Sequence, residues 1–181
     1  AGSRITYSQG FGVGNRKIEL IGEGYFEVKR NEEVPFLVKT NSLLVKVLGT
    51  KFNFRDYPDD AEAIVSLSEG KVALNNLLKK EKEAFLLPNE RVVLNKKNGR
   101  MHVEYSTVSN ALQWTNGYLF FDEELLPDVV KELERSYNVK IQIASDTLNT
   151  FRFYGNFVHR EQNIQEVLEA LSATRKIHYI I

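Results

Sequence analysis

The sequence predicts an all-β domain, solenoid-like or sandwich, followed by a smaller α+β domain of βαββαβ order. Three observations lead there. Apolar and polar residues alternate through Ile18/Leu20, Phe26/Val28, Phe36/Val38, Val45/Val47 and Phe52/Phe54, the period of strands with one buried face. Gly22, Gly24 and Gly49 fall between these runs, where a chain turns or bulges. Beyond residue 118 the period lengthens to that of helices with one apolar stripe.

Each element follows from local chemistry. Gly10-Phe-Gly12-Val-Gly14 reads as a surface loop and not a phosphate cradle, because the strand Ile18-Glu-Leu20 follows where a cradle needs a helix N-terminus. Tyr57-Pro58-Asp59-Asp60 is a turn, with proline presetting φ and aspartates able to bond nearby N–H groups. The charge run Lys79 to Glu83 is a solvated connection between strands. Asn95 to Gly99 closes a hairpin, with alternation resuming at Met101/Val103/Tyr105. Residues 1–105 thus form the β domain and 106–117 a linker, in which Trp114 is expected to pack between the halves.

In the third segment, 118–181, Asp122 is the expected N-cap of a helix whose stripe is Leu126, Val129, Val130 and Leu133, with Pro127 tolerated in its first turn. Asn138 ends that helix. Val139–Ile143 and Phe151–Phe157 read as strands. Asn163 with Glu166 is a capping pair for a second helix presenting Ile164, Val167, Leu168 and Leu171, and Lys176–Ile181 closes the chain as a strand. The two helices carry the same pattern at one constant offset, Leu126/Val129/Val130/Leu133 against Ile164/Val167/Leu168/Leu171, which marks a duplicated half-motif.

Composition narrows the function classes. The 181 residues are 43% hydrophobic and 11% aromatic, which supports a folded protein. Lys+Arg and Asp+Glu number 24 each, so no overall field draws nucleic acid or an anionic membrane, and neither is an expected partner. The absence of cysteine excludes disulfides and thiolate metal sites. His102, His159 and His178 are scattered without ligand spacing, and no metal or cofactor is expected. Glu23 and Glu27 share one strand face at a spacing a glycosidase pair could use, yet nothing in the sequence implies a cleft around them. No complete set of acid, base and binder emerges, so the chain is not read as an enzyme.

Several phrases resemble the periplasmic part of FecR-family anti-sigma regulators. They are Arg16-x-Ile-Glu-Leu-x-Gly-Glu-Gly-Tyr-Phe-Glu-Val28, Pro35-Phe36-x-Val38-x-Thr40 and Val45-x-Val47-Leu48-Gly49-Thr50-x-Phe52-Asn53, with Gly24 replacing a small alanine of the usual pattern. The likeness continues through Tyr57-Pro58, Glu69-Gly70-Lys71-Val72, Leu87-Pro88 with Glu90, Trp114-x-x-Gly117 and on to the C-terminus. It implies a periplasmic ectodomain of an inner-membrane single-pass protein. The membrane helix and the cytosolic sigma-binding segment of such proteins are not in this sequence. It also implies a C-terminal domain similar to the short signalling domain of secretins and TonB-dependent receptors. The implied partners are the signalling domain of a TonB-dependent transporter and, through the cytosolic segment, an extracytoplasmic-function sigma factor.

Two candidate sites follow. In some family members the bond matching Gly49-Thr50 breaks spontaneously: the threonine hydroxyl attacks the preceding carbonyl, and water opens the resulting ester. The favoured reading of the same residues is a bulge in which Gly49 supplies a kink, since no adjacent residue is an evident base. For the transporter domain, sheet-edge pairing is the economical mode of docking, because unpaired backbone groups supply the affinity. The candidate edges are Phe151, Phe153 and Tyr154 on one strand and Ile177, Tyr179 and Ile181 on the last. A carbohydrate-binding or adhesive β-domain is the alternative, and it requires Tyr25, Tyr57 and Trp114 to form an exposed platform.

Overall fold

A computed structural model describes residues 2–105, 113–159 and 161–181. The chain forms two compact units, Gly2–Leu112 and Gln113–Ile181. Most of the linker, residues 106–112, lies outside the described residues.

The first unit is all β. Its strands are β1 (Arg4–Tyr7), β2 (Arg16–Glu27), β3 (Phe36–Lys39), β4 (Leu43–Val47), β5 (Lys51–Asp56), β6 (Glu62–Glu69), β7 (Val72–Asn76), β8 (Ala84–Leu86), β9 (Glu90–Asn95) and β10 (Met101–Tyr105). They join in one sheet of order β10-β9-β6-β5-β2-β3-β4-β7-β8, with β1 also on β2. Every pairing is antiparallel except β2 with β3.

The long strand β2 holds the sheet together. Its first half lies between β1 and β3, and its second half, Gly22 to Glu27, pairs with β5. The change of partner falls at Gly22, whose φ is +100° and where a Cβ would sit 2.6 Å from Ser3 Oγ. Only glycine fits both conditions. Val38, Val45 and Leu74 from one wing meet Phe52, Phe54, Val65 and Leu94 from the other in a single core, so the sheet folds back on itself. Burying each such side chain contributes roughly 1.5–3 kcal/mol. The expected turns form where read: Asp60 N–H donates to the Tyr57 carbonyl, and Asn95 N–H to the Arg100 carbonyl beneath Gly99 at φ +66°.

The second unit contains β11 (Tyr118–Leu125), α1 (Leu126–Tyr137), β12 (Arg152–Val158) and α2 (Ile164–Ala173). β11 and β12 form an antiparallel ribbon from Tyr118↔Val158 to Leu125↔Arg152. Its inner face, with Leu119, Phe121, Phe153 and Phe157, packs against Val129 and Leu133 of α1 and Val167 and Leu171 of α2. Asn163 and Glu166 form the expected capping box in both directions. Asn138 ends α1 in the left-handed region at φ 54°.

Three expectations for this unit are corrected. Helix α1 begins at Leu126, not after Asp122, because β11 continues across a bulge between Phe121 and Glu124; Leu125 is its N-cap and no side chain caps it. Val139–Ile143 and Lys176–Ile181 are not strands. Both have strand-like sequence, but among the described residues neither pairs with another strand, and pairing is what makes a strand. The described elements therefore run β-α-β-α. Trp114 sits in a short 3-10 turn, Gln113–Asn116, and is 37% exposed.

Candidate functional site

Gly49 and Thr50 lie between β4 and β5, and two close contacts confine them. A Cβ on Gly49 would stand 2.6 Å from Arg30 Cα. On another side Gly70, at φ +94°, comes so near that its own Cβ would lie 2.7 Å from the Gly49 oxygen and 2.9 Å from Thr50 Oγ1. Thr50 is 4% exposed, and its N–H and C=O both pair with Val28. Its hydroxyl donates to the Lys71 carbonyl at 3.0 Å. The dipeptide is thus a tightly packed connection whose hydroxyl is held by a main-chain oxygen. For an acyl shift, that hydroxyl would have to leave Lys71 and turn to the Gly49 carbonyl carbon, its proton passing to a base.

The six candidate edge residues divide by burial. Phe153 (2% exposed) and Ile177 (8%) belong to the core. Phe151 precedes β12, and its carbonyl accepts the Leu126 N–H, so it anchors the start of α1. Tyr154 (61%) and Ile181 (89%) face solvent, and Tyr179 is half-buried.

Tyr154 belongs to a small assembly that sequence reasoning missed. At the β11 bulge Glu123 adopts φ 54°, an uncommon conformation for a residue with a side chain. From β12, Arg152 donates to the Glu123 carbonyl at 2.5 Å. The Tyr154 phenol hydrogen-bonds the Glu123 carboxylate. That bond, then partial desolvation and the charges of Glu123 and Asp122, push the Tyr154 pKa up from its ordinary 10.0. A Glu-rich run after a strand carries no periodic signal of such a bulge.

Other candidates resolve into scaffold. Glu23 Oε1 accepts from Asn53 Nδ2 at 2.7 Å, and Glu23 also faces Arg55, which pairs with Asp60 at 2.9 Å. Glu27 is exposed, so the two glutamates do not share an environment. His159 stacks on Tyr137 with centroids 4.6 Å apart and touches the Ser136 carbonyl, tying the loop after β12 to the end of α1. His102 lies on an exposed strand beside Glu104. Among the described residues no group of His, Cys, Asp and Glu could hold a metal ion, and no helix is long and apolar enough to cross a membrane. Tyr57 is only 4% exposed, which removes it from any aromatic platform for carbohydrate.

Comparison with known proteins finds two family matches. Residues 1–73 match the family model described as FecR protein, and residues 118–181 match that described as FecR, C-terminal. Two crystal structures of a candidate anti-sigma factor from Parabacteroides distasonis ATCC 8503, at 1.65 and 2.50 Å, superpose with a TM-score of 0.89 each. Each is 31% identical, and the match covers 100% of this chain and 83% of that one. No curated protein sequence matches the chain.

Proposed function

We propose, from the premise that this chain belongs to the FecR family of anti-sigma regulators, that it is the periplasmic sensor region of one. In this reading it binds the signalling domain of a TonB-dependent outer-membrane transporter. The outcome passes, through a membrane helix and a cytosolic segment outside this sequence, to an extracytoplasmic-function sigma factor.

The observation that carries the reading is the open main chain of the second unit. Among the described residues the β11–β12 ribbon has two strands, with no third strand on either edge. Unpaired N–H and C=O groups on an edge recognise another strand without special side chains. Of the residues named from the sequence, Tyr154, Tyr179 and Ile181 retain surface. Phe153 and Ile177 support it from the core. For a signal to pass, the transporter domain must bind this chain with different free energy in its loaded and empty states.

The test is a calorimetric titration of this chain with the isolated signalling domain of the transporter encoded beside it. Saturable binding is expected. A flat titration at tens of micromolar, with both proteins folded, overturns the reading.

A further inference from the structure

Residues 139–143, Val-Lys-Ile-Gln-Ile, have the sequence and burial pattern of a strand but, among the described residues, no paired neighbour. Exposure alternates along them: Val139, Ile141 and Ile143 are half-buried, while Lys140 and Gln142 are exposed. Ile141 and Ile143 pack on the core of the second unit, so the segment is held in place by its apolar face. Three of its five residues are β-branched, the type that favours a pleated surface.

Its hydrogen bonds are one-sided. The Ile141 N–H donates to Glu134 Oε1 at 2.8 Å, and the Val139 N–H reaches the Glu134 carbonyl. In extended chain, successive residues direct their N–H and C=O to opposite edges. Lys140 and Gln142 therefore point away from Glu134, and among the described residues their backbone groups have no partner. An open groove of about 660 Å³ separates the segment from Pro127, Val130 and Glu134 of α1 on the Glu134 side, and on the other side Lys140 and Gln142 are exposed. The segment also brings an unmatched charge. Lys131, at the same groove, pairs with Asp128 at 3.1 Å, whereas Lys140 makes no ion pair among the described residues.

We propose that Val139–Ile143 is the edge onto which the partner adds a strand, through the N–H and C=O groups of Lys140 and Gln142. This rests on the transporter domain being the partner and specifies how it is gripped. The added strand is extended, apolar at alternate positions to continue the face of Ile141 and Ile143, and carries a carboxylate near Lys140. Glu134 already takes the Ile141 N–H on the opposite edge, which favours addition on the Lys140/Gln142 side. Lys176–Ile181 is a weaker candidate: its burial does not alternate, and its Ile177 carbonyl is taken by Ser172 Oγ.

Proline decides the matter, because it removes one N–H and favours extended backbone at the preceding residue. Gln142→Pro leaves every intramolecular hydrogen bond of the segment in place. It is expected to keep the circular dichroism and thermal midpoint of the parent and to weaken binding of the transporter's signalling domain about tenfold or more, the loss of a bond with local mispairing. Gln142→Ala, which keeps the main-chain N–H, is expected to bind as the parent does. Lys140→Glu is expected to weaken binding, more at low than at high ionic strength. Undiminished binding by a folded Gln142→Pro overturns this edge while leaving the proposed partner standing. Failure of the parent to bind overturns both. Self-association of the parent abolished by Gln142→Pro assigns the edge to a second copy and overturns it for the transporter.

Should Gln142→Pro not fold, amide exchange on the parent replaces it. The Lys140 and Gln142 amides exchange fast in the free chain and slowly in the complex. Fast exchange in both states overturns the proposal.

Discussion

The Thr50 hydroxyl donates to the Lys71 carbonyl at 3.0 Å, joining the start of β5 to the turn before β7 across 21 residues of chain. A carbonyl oxygen accepts a hydrogen bond but does not remove a proton, so this partner orients the hydroxyl without activating it. Intact-mass measurement of freshly folded protein is therefore expected to return one uncut species. Two fragments meeting at Gly49/Thr50 would show that the hydroxyl leaves Lys71 readily. Thr50→Val, which keeps the shape and leaves the Lys71 oxygen unpaired, is expected to cost about 1–2 kcal/mol in denaturant unfolding.

Gly70 makes this packing possible. Its φ of +94° disfavours any side chain, and a Cβ would be driven into the Gly49 oxygen at 2.7 Å. Backbone atoms cannot move aside as a flexible side chain can. Gly70→Ala is expected to destabilise the first unit by about 2–4 kcal/mol, seen as a lower denaturation midpoint with an unchanged slope.

Asp56 and Lys96 form a largely buried ion pair at 2.6 Å, with Lys96 also donating to the Tyr57 carbonyl. Asp56 is 5% exposed and its second oxygen has no hydrogen-bond partner. Removing the cation strands a carboxylate in the protein, which is worse than having neither charge. Lys96→Met is expected to cost about 2–4 kcal/mol, and adding Asp56→Asn to recover part of it. Additive losses in the double-mutant cycle would contradict this account.

Tyr154 offers a titration test of the β11 bulge. Its hydrogen bond to Glu123 favours the neutral phenol, so its folded pKa lies above the ordinary 10.0. The stabilisation is accordingly complete below the ordinary value and is lost as pH rises through the raised one. Phenolate absorbance or carbon NMR is expected to place Tyr154 above the exposed tyrosines, and Glu123→Gln to bring it back toward them. No change on that substitution would mean that Glu123 is not the cause.

The cap of α2 shares no partner with these sites, so its loss is expected to add to theirs. Asn163→Ala removes the half of the capping box that its side chain makes, while its N–H still donates to Glu166, and is expected to lower the second unit's unfolding free energy by about 1 kcal/mol. Replacing Glu166 as well removes the remaining half, and the combined loss is expected to be less than the sum of the two single losses, since the residues share one cap.

Local rules carried much of the fold. The alternation of Phe52/Phe54 and Val45/Val47 placed those residues in the core, Asn98-Gly99 made its hairpin, and Asn163 with Glu166 capped a helix. Each depends on residues within a few positions of one another. The start of α1 was misread for the same reason: Asp122 has cap chemistry, but pairing with β12 extended the strand past it and Leu126 became the first helical residue. The candidate edge was only partly legible. Phe153 and Tyr154 are adjacent and similar in type, yet one is core and the other surface, because the pleat alternates and the core lies on one side alone.

By itself, then, the sequence determined the two-part division of periods, the turns and caps, and, through its phrasing, the family. Tertiary structure decided what depends on distant chain: that β2 changes partners at Gly22, that Gly70 closes on Thr50, and that Val139–Ile143 has the pattern of a strand without a neighbour. A side-chain period is written in consecutive residues. Whether another chain lies 5 Å away to accept its hydrogen bonds is not.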